Sequence, residues 1–265
     1  MSENNCLEIN YLALIAKMVS KYKHRTYELM QLKKGDKVLD VGCGPATDTI
    51  TLASLVGETG QVFGVDIDEQ QIMHANQKAV DAGVNKVVTH YLVNGYQLPF
   101  GADCFDSVRS ERVFQHNADS NQLLKEMIRV TKCGGWIVVL DTDWSTMSID
   151  TNLVDIEQKI KKIHVEKTFK NSFAGRQLFR MLIEEGLHDI HVEMAPVFAT
   201  NYRISRQAAC LDMAEKLALE AGVVSQFELD ALHADLEKAD FEGKYFSAIL
   251  QVLVAGRKPF VQEPT

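Results

Sequence analysis

Two carboxylates and two glycines stand where they can build one ligand site. In Asp40-Val41-Gly42-Cys43-Gly44-Pro45-Ala46 the glycines lack side chains, so backbone N–H groups can approach a ligand closely. Asp40 heads that turn, and Asp66 ends the next apolar run, Gln61-Val62-Phe63-Gly64-Val65-Asp66. A carboxylate such as Asp66 can accept two hydrogen bonds at once, as the neighbouring hydroxyls of a ribose require. Ser110 and Glu111 close the run that begins at Phe105, and His116 follows, with a titration range suited to a general base. Asp141 and Asp143 lie beside Trp144. Two acids could hold a divalent cation, but no supporting ligands accompany them, so no metal is expected.

These residues need a scaffold that gathers strand ends. Lys37-Val38-Leu39-Asp40-Val41 is a short apolar run that stops at glycines, the pattern of a buried strand. Further strands are expected over 61–66, 87–93, 105–110, 136–141, 190–198 and 245–254. Helical patterns are expected over 8–31, 49–55, 68–82, 120–130, 154–169 and 177–185, and as a block over 205–240. Strands alternating with helices imply βαβ crossovers, and therefore a parallel sheet covered on both faces. The expected fold class is α/β, doubly wound and Rossmann-like. The chain reads as a single domain, 1–265, with an N-terminal helical cap over 1–34. A ligand-binding core follows over 35–145, and a helical cap insertion over 200–242 precedes the last strand. Trp144 and Tyr11 could wall an apolar pocket.

Two ligand classes suit a glycine turn followed by an acid. A nicotinamide or flavin dinucleotide needs a third glycine for close helix packing, and that position holds Thr47. Asp40 would also repel a pyrophosphate, whereas it suits the ammonium of a methionine moiety. The signs favour S-adenosylmethionine (AdoMet) over a dinucleotide. A nicotinamide-dependent oxidoreductase is the alternative, as is a non-catalytic AdoMet-binding module, because no single side chain declares itself catalytic.

Composition narrows the partners. The chain has 265 residues, 46% of them hydrophobic, and a formal net charge of -8. An acidic chain without a basic stripe is poorly suited to a nucleic-acid backbone, and no N/D-P-P-Y-type tetrapeptide follows the fourth strand. The five cysteines are odd in number and show no C-x-x-C spacing, against a disulfide framework or a structural zinc site. A polar start without an apolar core, and no apolar stretch near about 18 residues, lead to the expectation of a cytoplasmic protein without a membrane span.

Several segments together resemble the class I AdoMet-dependent methyltransferases, closest to the methyltransferase type 11, ubiquinone-biosynthesis-like group. They are Val38-Leu39-Asp40-Val41-Gly42-Cys43-Gly44, Val65-Asp66-Ile67-Asp68, Gln97-Leu98-Pro99-Phe100, Phe105-Asp106-Ser107-Val108 and Lys132-Cys133-Gly134-Gly135. The resemblance implies a seven-stranded sheet, mostly parallel, with the last strand antiparallel. It also implies in-line methyl transfer to a small-molecule acceptor at oxygen, nitrogen or carbon. The cofactor residues it implies are Arg25, Asp40, Gly42, Gly44, Asp66, Ile67, Asn94, Gly95 and Ser110, with His116 as the candidate base. Ala46 stands where the family turn has its third glycine, Asn94 where the family often has Asp, and Cys133 where it has a turn proline. The 205–240 block resembles the substrate caps of small-molecule methyltransferases.

Overall fold

The computed structural model describes residues 20–260, so Tyr11 and the first part of the helix expected over 8–31 lie outside the described residues. The described residues form seven strands: β1 (Lys37–Val41), β2 (Gln61–Asp66), β3 (Val88–Leu92), β4 (Phe105–Glu111), β5 (Thr131–Ile149), β6 (His188–Ala199) and β7 (Ser247–Arg257). They form one sheet in the order β3-β2-β1-β4-β5-β7-β6. Strands β1 to β5 pair in parallel, and β7 is antiparallel to both of its neighbours. This is the doubly wound sheet with an antiparallel last strand. Between β1 and β4 the strand order reverses, and a crevice opens there at the carboxyl ends.

Apolar residues on both faces of the sheet explain its helical cover. Helices α1 (Ser20–Leu29), α2 (Thr47–Val56) and α3 (Glu69–Asp81) pack on one face. Helices α4 (Ser120–Val130) and α6 (Ala174–Glu184) pack on the other. Helix α5 (Val154–Lys167) instead joins α7 (Tyr202–Ala208), α8 (Leu211–Glu220) and α9 (Gln226–Phe241) around a separate core of Ile160, Ala214, Leu232 and Tyr245. Among the described residues, no helix is long and apolar enough to cross a membrane.

Two expectations are corrected. The helical block over 205–240 is three helices. It breaks at Cys210, whose φ of 51° is left-handed, and again at Gly222, before Ser225 restarts the chain with a reciprocal capping box to Glu228. Strand β5, expected to stop at Asp141, runs on to Ile149. The polar residues Thr142, Asp143 and Ser145 break the apolar pattern, but β7 supplies partners beyond it, through a bulge between Asp143 and Ser148.

Helix α6 bears directly on the main chain of β5. A Cβ added at Gly175 would lie 2.9 Å from the Asp141 carbonyl oxygen and 3.0 Å from the Asp143 nitrogen. Backbone cannot yield cheaply, so Gly175→Ala is expected to lower stability by about 1–3 kcal/mol. Urea denaturation should show a reduced midpoint with an unchanged slope.

Candidate active site

The turn after β1 holds a left-handed backbone at Gly42, Gly44 and Ala46, with φ of 75°, 50° and 66°. Gly42 and Cys43 donate their N–H groups to the Val65 carbonyl at 2.8 and 3.0 Å, which ties the turn to the end of β2. A Cβ at Gly42 would sit 2.1 Å from Val113 Cγ2, so the turn is closed on that side; a Cβ at Gly44 would meet nothing within 4 Å. Ala46 accepts a conformation that costs an L-residue about 1 kcal/mol. Gly44 N–H donates to Asp66 Oδ2 at 2.8 Å, and Asp68 N–H donates to Oδ1 at 3.0 Å. Each Asp66 oxygen can accept a further hydrogen bond, and the residue lines the crevice.

The crevice floor is a buried charge cluster. Arg109 on β4 has a relative exposure of 0%. Its Nη1 lies 3.1 Å from Asp40 Oδ1 and 3.3 Å from Asp48 Oδ1, and its Nη2 lies 2.7 Å from Glu111 Oε2. Lys23 of α1 reaches Asp48 at 2.8 Å and Glu111 Oε1 at 3.0 Å, and the Tyr27 hydroxyl donates to Asp48. Three carboxylates thus face two cations. Burial pushes the Asp40 carboxyl up to about 7 against the pull of Arg109. Burial acts on Asp48 too, but Arg109 and Lys23 outweigh it and hold its carboxyl below the usual range. Asp40 Oδ2 is buried and makes no hydrogen bond.

At the outer end of the crevice, Asp141 accepts the N–H groups of Phe114 and Gln115 at 2.8 and 3.4 Å. It thereby fixes the 3-10 turn Phe114–His116. Burial pushes the Asp141 carboxyl up to about 7. The His116 ring packs against Phe169 with centroids 5.5 Å apart. Burial first, then the cations Arg112 and Lys170, lower its pKa, which leaves the imidazole neutral near pH 7. Trp144 stacks on Phe169 at 4.3 Å and donates to Gln115 Oε1 at 2.8 Å. Asp143 is engaged by Arg176. No group of three or more His, Cys, Asp or Glu among the described residues is arranged to hold a metal ion.

Of the ten cofactor and base candidates named from the sequence, Asp40, Gly42, Gly44, Asp66, Ile67, Asn94, Gly95 and His116 line one cleft of about 750 Å³. Two do not. Arg25 points elsewhere, donating to Glu193 at 2.6 Å and to Glu28 at 2.8 Å; Lys23, on another face of the same helix, is the cation that enters the cleft. Ser110 is turned to the opposite side of β4, where its hydroxyl donates to the Val41 carbonyl at 3.0 Å. By strand alternation its neighbours Arg109 and Glu111 face the cleft. Lys23, Tyr27, Asp48 and Arg109 escaped the sequence reading. One signal was available: an arginine inside a short buried strand demands carboxylate partners.

Comparison with known proteins settles the family. A family described as "Methyltransferase domain" matches residues 32–194, more than half of the chain. The chain belongs to that family. It is a class I AdoMet-dependent methyltransferase. The methyltransferase is 29% identical over 259 residues to an uncharacterized 37.1 kDa protein in transposon TN4556 of Streptomyces fradiae, covering 95% of this chain and 72% of that protein. It is 37% identical over 127 residues to a demethylmenaquinone methyltransferase of Bacillus subtilis, covering 48% of this chain and 54% of that one. The chain therefore spans about half the length of that relative. Geranyl diphosphate C-methyltransferase of Streptomyces coelicolor, solved with Mg2+, geranyl diphosphate and S-adenosyl-L-homocysteine, shares the fold, with a TM-score of 0.58 and 16% identity over 90% of this chain and 79% of that one.

The groups present suit AdoMet. The unpartnered Asp40 oxygen and the surplus of carboxylates in the floor match a cationic end, and Asp66 has lone pairs for two ribose hydroxyls. Above them, Gly44 leaves open space. The floor itself depends on Arg109. Arg109→Met leaves Asp40 without its cation and Asp48 and Glu111 chiefly to Lys23, and is expected to cost the methyltransferase about 3–5 kcal/mol. Chemical denaturation checks the loss, and Arg109→Lys should recover part of it.

Proposed function

We propose that this methyltransferase moves the AdoMet methyl group to a small-molecule acceptor at the outer end of the cleft. The observation that carries the reading is that the cofactor-side residues and residues of the later helical segments line one cleft. The cleft is bounded inward by the charge cluster and outward by His116, Phe169, Lys170 and Cys210. A space of about 750 Å³ has the dimensions of a small-molecule site. On this reading residues 35–145 are the AdoMet-binding core, and the helices within 200–242 cap the acceptor.

The roles follow from the chemistry. Asp66, with Ile67 beside it, takes the ribose; Asn94 and Gly95 take the adenine; Asp40 and Glu111 face the methionine end. AdoMet supplies an electrophilic methyl carbon, to which an acceptor electron pair bonds as the carbon–sulfur bond breaks with its pair on sulfur. The chain's own contribution is alignment and exclusion of water. Where the acceptor must lose a proton, neutral His116 receives it once its Nε2 exchanges the Gln115 amide donor, 2.9 Å away, for the acceptor.

Incubation with AdoMet labelled in the methyl group and a panel of small metabolites tests the reading. Acceptor-dependent transfer is expected; label found only on protein or nucleic acid, or no calorimetric binding of AdoMet, sinks it.

Asp40 makes cofactor binding proton-linked. Its folded carboxyl, pushed up to about 7, keeps its proton where an unfolded one has lost it. Before ligand binds, this group therefore subtracts stability as pH rises from about 4 through about 7. A cation bound beside it favours the carboxylate, so AdoMet should expel a proton below pH 7, with affinity falling by up to about tenfold per pH unit. Calorimetry in buffers of different ionisation enthalpy detects that proton. Asp40→Asn should abolish the release and flatten the pH dependence.

A further inference from the structure

The two nitrogens of the His116 ring have different surroundings. Nε2 lies 2.9 Å from Gln115 Nε2, whereas Nδ1 makes no hydrogen bond among the described residues. A neutral imidazole carries its proton on one nitrogen and a lone pair on the other, and the partner of one nitrogen decides the state of both. The tautomer of His116 therefore depends on which end of the Gln115 amide faces it.

Two partners fix that amide. Gln115 Oε1 takes the indole N–H of Trp144 at 2.8 Å. An indole N–H only donates, so the amide atom that faces it is the oxygen. Gln115 Nε2 donates to the Arg112 carbonyl at 3.4 Å. A carbonyl only accepts, so the amide atom that faces it is the nitrogen. Both partners impose one orientation, and the second amide N–H is then directed to His116. Turning the amide over would set donor against donor at Trp144 and acceptor against acceptor at Arg112, in a residue only 3% exposed. The flanks are anchored as well. Gln115 gives its main-chain N–H to Asp141 at 3.4 Å and accepts that of Asn171 at 3.0 Å. Trp144 stacks on Phe169 at 4.3 Å and gives its main-chain N–H to the Ser172 carbonyl at 2.9 Å.

We propose that Gln115, oriented by Trp144, is a positioning residue that holds His116 in its Nδ1–H tautomer. The proposal deepens the small-molecule reading: its meaning for the acceptor rests on that reading, whereas the tautomer stands on the geometry of the three side chains. With the relay intact, the nitrogen left for a ligand is an N–H, and it donates to a lone pair of whatever binds there. The nitrogen able to take a proton is the one that Gln115 covers, so proton uptake waits on its release. Burial, with the cations Arg112 and Lys170, keeps the ring neutral near pH 7, the state in which the choice of nitrogen matters.

Long-range proton–nitrogen correlation spectra of ligand-free protein with isotope-labelled histidines, recorded at about pH 8, read the tautomer directly. His116→Asn identifies the His116 signals among those of the eight histidines. Wild-type protein should show His116 protonated at Nδ1 and bare at Nε2. His164 is the internal control. Its Nε2 lies 2.6 Å from the Ala209 carbonyl, which only accepts, so its pattern should be the reverse. Gln115→Met removes the amide and should return His116 to the Nε2–H form that a neutral imidazole favours in water. Trp144→Phe keeps a ring against Phe169 but releases the amide oxygen, and should lower the ratio of Nδ1–H to Nε2–H by about tenfold or more. An unchanged His164 pattern shows that each variant has kept its fold. An Nε2–H ring at His116 in wild-type protein, or an Nδ1–H population that neither variant moves, overturns the proposal. The spectra need neither AdoMet nor an acceptor. A failed transfer assay therefore sinks the small-molecule reading and leaves the tautomer standing, and an Nε2–H wild-type ring does the opposite.

Discussion

A guanidinium buried inside a β-sheet is the constraint on which the site is built. Arg109 sits opposite Asp40 in the β1–β4 ladder, so the strand register itself delivers a carboxylate to the cation. One carboxylate does not satisfy a fully desolvated arginine, and Asp48 and Glu111 complete the set. Lys23 and Tyr27 then follow, because Asp48 needs donors of its own. The chain of obligations fixes α1 against α2 and the carboxyl end of β4. Replacing such a cluster with apolar groups can leave stability unharmed, so its retention speaks for use rather than strength.

Its use is the sign of charge at the switch point. With more acid than base, and one buried oxygen unclaimed, the floor welcomes a cationic ligand end and rejects a pyrophosphate. The turn above does the complementary work with backbone alone. Gly42 admits Val113 at a distance no side chain would allow, and Gly44 opens the space over Asp66. Ala46 holds its left-handed place at the entry to α2 because the turn is tied to Val65 on one side and continues into a helix on the other.

Much of this was legible from residue order. Strands β1 to β4 are short apolar runs ended by turn residues, and their carboxyl ends carry Asp40, Asp66 and the Asn94-Gly95 pair into one cleft. What failed was phase. Whether Ser110 or Arg109 faces the cleft depends on a period of two at the end of β4, which the partner strand sets. Arg25 and Lys23 differ by their angle around α1, fixed by contacts with Glu193 and Asp48 that lie far off in sequence. The break at Cys210 carries no glycine or proline to announce it. The added length of β5 exists because β7 pairs with it.

That last dependence reaches into how the chain is made. Among the described strands β7 comes latest in the chain, yet it lies between β5 and β6, and β6 has no other neighbour among them. During synthesis the cofactor half can assemble while β5 still shows a bare ladder edge. Strand β6 must wait, unpaired, until the three helices and then β7 have left the ribosome. Such late, non-local closure slows folding and leaves exposed edges open to wrong partners in the interval. The charged floor of the cleft, built from residues 23 to 111, thus precedes its rim at Phe169, Lys170 and Cys210, and both precede the strand that closes the sheet.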